Sequence, residues 1–107
     1  FSYTAKELGK RKIAFICCRE TQDRNSIGNI LKQEFGGVYI INQQLTREIA
    51  EEVIMQGNAD AAAFGQLFIA NPDLPKRFLL NANLNKPDVQ TYYTSTAVGY
   101  TDYECLR

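Results

Sequence analysis

Apolar residues come along this chain in two rhythms. Three short continuous runs, Ile13 to Cys17, Val38 to Ile41 and Ala61 to Phe64, have the length of strands buried on both faces. Between them apolar positions recur every three or four residues. Ile27, Ile30, Leu31 and Phe35 make one helical stripe, with Asn25 or Ser26 as N-cap and Gly36-Gly37 as its end. Gly28 inside that helix costs about 1 kcal/mol relative to alanine. A second stripe, Ile49, Ala50, Val53 and Ile54, predicts a helix from Arg47 to Gln56, capped by Thr46, carrying Glu48 in its first turn and stopped at Gly57. Ser2 to Leu8 reads as the last turns of a helix stopped by Gly9, with the charged Lys10-Arg11-Lys12 beyond it. Pro72 and Pro75 bracket the start of a helix anchored by Leu74, Phe78 and Leu79 and reaching Asn81. Arg19 to Asn25 is a polar loop, and from Asn83 onward the chain has no period and holds at most one turn of helix.

Strands alternating with helices predict an α/β fold with a parallel sheet in sequence order, its helices on one outer side. Either an open doubly wound sheet or an arc of a (β/α) barrel satisfies this order. A complete barrel needs about 250 residues, so these 107 could form only its last part, about three strand-helix units. On that reading Ile16, Tyr39, Ile41 and Ala62 or Ala63 face the barrel interior and are left partly in water. Two loops, Asn42-Gln43-Gln44 and Gly65-Gln66, emerge at the carboxyl ends of adjacent strands, the edge where α/β folds bind ligands.

Composition removes several chemistries. Twelve basic residues balance twelve acidic ones, so no nucleic-acid or membrane surface is held by bulk charge. No apolar run approaches the roughly 18–20 residues that span a bilayer. Histidine is absent, which removes His-based triads, imidazole metal sites and His proton shuttles. Cys17, Cys18 and Cys105 lack metal-ligand spacing. Their odd count predicts reduced thiols in a cytoplasmic setting, the adjacent pair as small buried side chains and the third in the tail. The start at Phe1, with Met55 as the single methionine, predicts a fragment of a longer protein.

Gly65 after a strand allows backbone amides to approach an anion such as a phosphate, although a glycine there is more often only a turn. Three readings stay open at this point: part of an enzyme, a small non-catalytic module that binds a phosphorylated ligand, and a structural fragment with no ligand.

Longer strings narrow the choice. Ala59 to Arg77, ADAAAFGQLFIANPDLPKR, closely resembles the last strand-loop-helix of the old yellow enzyme family. YIINQQLTREIAEE, from Tyr39 to Glu52, resembles its seventh strand and helix, and TYYTSTAVGYTDY, from Thr91 to Tyr103, its C-terminal signature. Within the family the match is to the trypanosomatid prostaglandin F synthase-type branch. The resemblance implies that residues 1–107 are a C-terminal fragment of an FMN-binding TIM barrel. It also implies an NADPH-dependent activity on small electron-poor alkenes or quinones. It places Asn42, Gln43, Gln44, Gly65 and Gln66 at the FMN phosphate, Tyr92 against the dimethylbenzene end of the flavin and Tyr93 on the substrate side. Two departures stand out. The family has glycines where this chain has Gln43-Gln44, and Gly-Arg where it has Gly65-Gln66. An arginine gives a charge-assisted contact to phosphate that glutamine cannot give, and Arg47 is the candidate replacement. The family's proton-donating tyrosine and His-Asn or His-His pair lie on strands absent here, so no catalytic residue is assigned.

Overall fold

The computed structural model describes residues 1–107, which divide into two compact units, Phe1–Ala63 and Phe64–Arg107. In the first, helix α1 (Ser2–Lys10) precedes strand β1 (Phe15–Arg19), helix α2 (Gly28–Phe35), strand β2 (Val38–Asn42), helix α3 (Arg47–Met55) and strand β3 (Ala61–Ala62). The strands lie in the order β1-β2-β3 and both pairings are parallel, as the alternation predicts. Phe15 is in register with Val38, Arg19 with Asn42, and Ile40 with Ala61.

The register decides which side chains are covered. Tyr39 and Ile41 are 0% and 1% exposed, so they lie on the helix-covered face and not on the open one expected from the sequence. The open face carries the alternate set: Phe15, Cys17 and Val38 are exposed, Phe15 at 53% and Val38 at 46%. Both sets are apolar, so pattern alone could not choose between them. The same parity corrects the buried-cysteine expectation. Cys17 is exposed and only its neighbour Cys18 is half-buried. β1 also starts and ends two residues later than the apolar run, because a charged Arg19 is tolerated where its side chain leaves the sheet.

Gly9 lies within α1 rather than ending it; the helix runs to Lys10 and is capped at Arg11. A Cβ at Gly9 would fall 2.2 Å from the Phe35 carbonyl oxygen, so the glycine permits α1 to cross the end of α2. Where α2 begins, Glu20 accepts from the Ile27 amide at 2.9 Å and from the Ser26 hydroxyl, and Ser26 Oγ accepts from the Gly28 amide at 3.3 Å. Thr46 caps α3 as predicted, its hydroxyl accepting from the Ile49 amide at 3.2 Å. Asp60, just before β3, ties strand to helix by accepting from the Tyr39 amide and from Lys32, both at 2.9 Å.

The second unit holds helix α4 (Gln66–Ala70), helix α5 (Leu74–Leu80) and a 3-10 turn, Val89–Thr91. The helix expected after the two prolines is α5, closed by Asn81 in the left-handed conformation. The five-residue α4 is too short to show a period and went unpredicted. The tail is irregular with one helical turn, as expected, yet it is well anchored. Buried Arg77 donates to Asp73, to the Asn83 carbonyl and to the Glu104 carbonyl, each at 2.7 Å. Buried Asn71 exchanges hydrogen bonds with the backbone of Asn85. No helix is long and apolar enough to cross a membrane.

Candidate functional site

The carboxyl end of β2 is the most unusual backbone in the chain. Asn42 ends the strand, and its carbonyl accepts from the Glu20 amide at 3.2 Å. Gln43 and Gln44 follow with φ of 93° and 50°. Two consecutive positive values at non-glycine residues are costly, about 1–3 kcal/mol each. Glycine adopts such values freely, so the chain keeps a glycine-like path with glutamine side chains on it. Leu45 is buried just beyond, and the Thr46 cap fixes where α3 begins. The loop is thus held at both ends. The Gln43 and Gln44 amides lie on this turned path, at the sheet edge where α/β folds meet ligands.

Arg19 was assigned to a polar loop by sequence pattern, but it is the last residue of β1 and sits in register with Asn42. Its Nε donates to Gln43 Oε1. It makes no ion pair: the chain's salt bridges are Lys10–Glu7, Lys32–Asp60, Arg47–Glu51 and Arg77–Asp73. The nearby carboxylate, Glu20, is engaged at the start of α2. Arg47, the expected replacement cation, has Nε 2.8 Å from Glu51 on its own helix. The signal that could have found Arg19 is its position: it closes the first strand as Asn42 closes the second.

In the second unit Gly65 has φ of −90°, which any residue adopts, and a Cβ there would meet open space. Neither backbone nor neighbours require glycine, so its effect is to leave the ground before α4 clear. Gln66 is the exposed first residue of α4. Tyr92 is half-buried; its hydroxyl is buried without a partner, and that burial pushes its pKa up. Tyr93 meets it edge-to-face, ring centres 6.4 Å apart, and is itself 98% exposed. Tyr103 fixes the turn before them, its hydroxyl accepting from the Asp88 amide at 2.9 Å. The first unit therefore gathers Asn42, Gln43, Gln44 and Arg19, and the second carries Gly65, Gln66 and the Tyr92–Tyr93 pair.

No protein-family model matches the chain. Among curated proteins it is similar to a putative 12-oxophytodienoate reductase 3 of rice, 40% identical over 116 residues, covering 99% of this chain and 30% of that protein. 12-oxophytodienoate reductase 2 of Arabidopsis thaliana is 48% identical over 78 residues, 72% of this chain and 21% of that protein. Among solved structures, a variant of NCR from Zymomonas mobilis superposes with a TM-score of 0.93 at 38% identity, covering 99% of this chain and 37% of that one. The old yellow enzyme from Trypanosoma cruzi gives 0.90 at 34% identity, with coverage of 99% and 29%. The chain spans about a third of the length of the relatives it matches. Its homologues are oxidoreductases of the old yellow enzyme type, the 12-oxophytodienoate reductases among them.

Proposed function

We propose that the chain is the C-terminal portion of an FMN-dependent NADPH oxidoreductase of the old yellow enzyme type, about three strand-helix units of its TIM barrel. Its part is to supply the loops that hold the cofactor phosphate. The observation that carries this reading is the pair of strained residues, Gln43 and Gln44, at the carboxyl edge of a parallel strand. Strain persists where surrounding structure and function both hold it. Within the first unit the donors suit an anion: the amides of the turned Gln43–Gln44 path and the Arg19 guanidinium, which meets no carboxylate.

A flavin bound there would supply two-electron chemistry between NADPH and an electron-poor alkene or quinone. The chain's own contribution is placement. By the family resemblance, Asn42, Gln43 and Gln44 in the first unit and Gly65 and Gln66 in the second would hold the phosphate, Tyr92 would pack against the flavin and Tyr93 would face the substrate side. The curated relatives are named for oxophytodienoate, so the proposal rests at the level of the family and not of its prostaglandin-active branch. A cytoplasmic location belongs to the same reading.

The open face of Phe15, Cys17 and Val38 supports the view that further strands complete the sheet. The test compares the purified 107-residue chain with the full-length protein that carries it. Both are examined for co-purified flavin and for NADPH oxidation with menadione, against free FMN. The full-length protein should be yellow and active, and the chain alone should give no rate above free flavin. A colourless, inactive full-length protein refutes the oxidoreductase reading. A working chain alone refutes its dependence on other strands.

A further inference from the structure

We propose that Arg19 is the cation that binds the cofactor phosphate in this protein, with Gln43 as its positioning residue. The inference rests on the cofactor reading above and goes beyond it, since neither the sequence pattern nor the resemblance singles out Arg19. Four observations carry it. Arg19 ends β1 in register with Asn42, at the ligand-binding edge of the sheet. Neighbouring strands lie about 4.8 Å apart, so the guanidinium spans to the β2 loop without leaving its own strand. Its Nε is held by Gln43 Oε1, which fixes the plane of the guanidinium. Its charge is unspent, because it pairs with no carboxylate, Glu20 is taken up by Ser26 and Ile27, and Arg47 is taken up by Glu51.

Position 43 exchanges the freedom of a glycine for a side chain that orients Arg19 from the neighbouring strand. A glycine at 43 would leave Arg19 free to sweep through solvent, and its contact with phosphate would be weaker for the entropy lost on binding. The cost of the exchange is the strained φ at Gln43.

The experiment uses the full-length protein stripped of flavin and titrated with FMN and with riboflavin, which lacks only the phosphate, by quenching of flavin fluorescence. Arg19→Gln should weaken FMN binding about tenfold or more, the range of a lost charge-assisted hydrogen bond. Riboflavin binding should stay within about twofold, and that arm also reports that the variant is folded. Arg19→Lys should recover part of the FMN affinity but not all, since it restores charge without the planar fork. Gln43→Ala should give an intermediate loss for FMN alone. Unchanged FMN affinity in Arg19→Gln overturns the inference and leaves the cofactor reading standing. Equal losses for FMN and riboflavin also overturn it, by placing Arg19 at the ring or in the fold. A wild-type protein that binds neither flavin overturns both.

Discussion

Replacing both Gln43 and Gln44 by glycine should stabilise the protein, although glycine substitution usually does the opposite. A non-glycine residue at positive φ costs about 1–2 kcal/mol. Gln44, at 50°, sits at the edge of the left-handed basin and belongs at the low end. Gln43, at 93°, lies well outside it and belongs at the high end. Against this, each glycine adds about 0.4–1 kcal/mol of unfolded-chain entropy. Losing the exposed Arg19–Gln43 hydrogen bond removes about 0.5 kcal/mol more. The double variant should therefore gain about 1 kcal/mol, a rise in Tm of about 4–8 °C for a domain of this size. Gln33, exposed in α2, is the control, where Gln33→Gly should lose about 0.5–1 kcal/mol. Equilibrium urea unfolding, followed by far-ultraviolet circular dichroism, measures both. Loss of stability in Gln43→Gly/Gln44→Gly would refute the reasoning, since the loop would then be held by its glutamine side chains and not in spite of them. Because Gln43 both carries the strain and positions Arg19, the same variant should gain stability and lose FMN affinity, an opposition common at functional sites.

Two further outcomes follow from the packing. Gly9→Ala should destabilise by about 2 kcal/mol in thermal unfolding, because a Cβ 2.2 Å from the Phe35 carbonyl outweighs the helix propensity of about 1 kcal/mol that alanine gains; a more stable variant would show that α1 moves away from α2 at no cost. Acid should weaken the fold through Asp73 and Asp60, held below the ordinary carboxylate value of 3.8, the first chiefly by Arg77 and then the Leu106 amide, the second chiefly by Lys32 and then the Tyr39 amide. The unfolded chain binds these protons first, so their contribution is complete above 3.8 and fades as pH falls from there through the lower folded values. Arg77→Met, which removes the ion pair to Asp73 and the bonds to the Asn83 and Glu104 carbonyls, should cost about 3 kcal/mol at neutral pH and flatten this acid slope in a pH series of unfolding midpoints; an unchanged slope would remove Asp73 from the account.

The sequence showed what periodicity carries and missed what single contacts decide. Strand order, parallel pairing, the Thr46 cap and the proline-started α5 were legible, because runs, stripes and caps are local signals. Gly9 was read as a helix stop because glycine usually is one; only the nearby Phe35 carbonyl shows why it sits inside a helix. The tail looked loose because a polar stretch has no period. Its order comes from Arg77 and Asn71, residues of the same unit that reach its backbone carbonyls and amides. Such long-range pairing leaves no mark on local composition.

Parity explains both the misplaced core residues and the missed cation. In a sheet buried on both sides, odd and even positions are equally apolar, so Tyr39 and Ile41 could be set on either face. Once Tyr39 and Ile41 are known to be covered, alternation puts Val38 and Ile40 on the other face. The register extends the assignment to Phe15, Cys17 and Arg19 across β1 and to Asn42 at the end of β2. Arg19 is then no longer the first residue of a polar loop. It is the last side chain of an otherwise apolar face, at the edge where the strand ends meet the strained loop, and a lone charge is stable there because it reaches both water and Gln43. One burial, at Tyr39, thus carries through the sheet's alternation to the residue on which the phosphate proposal rests.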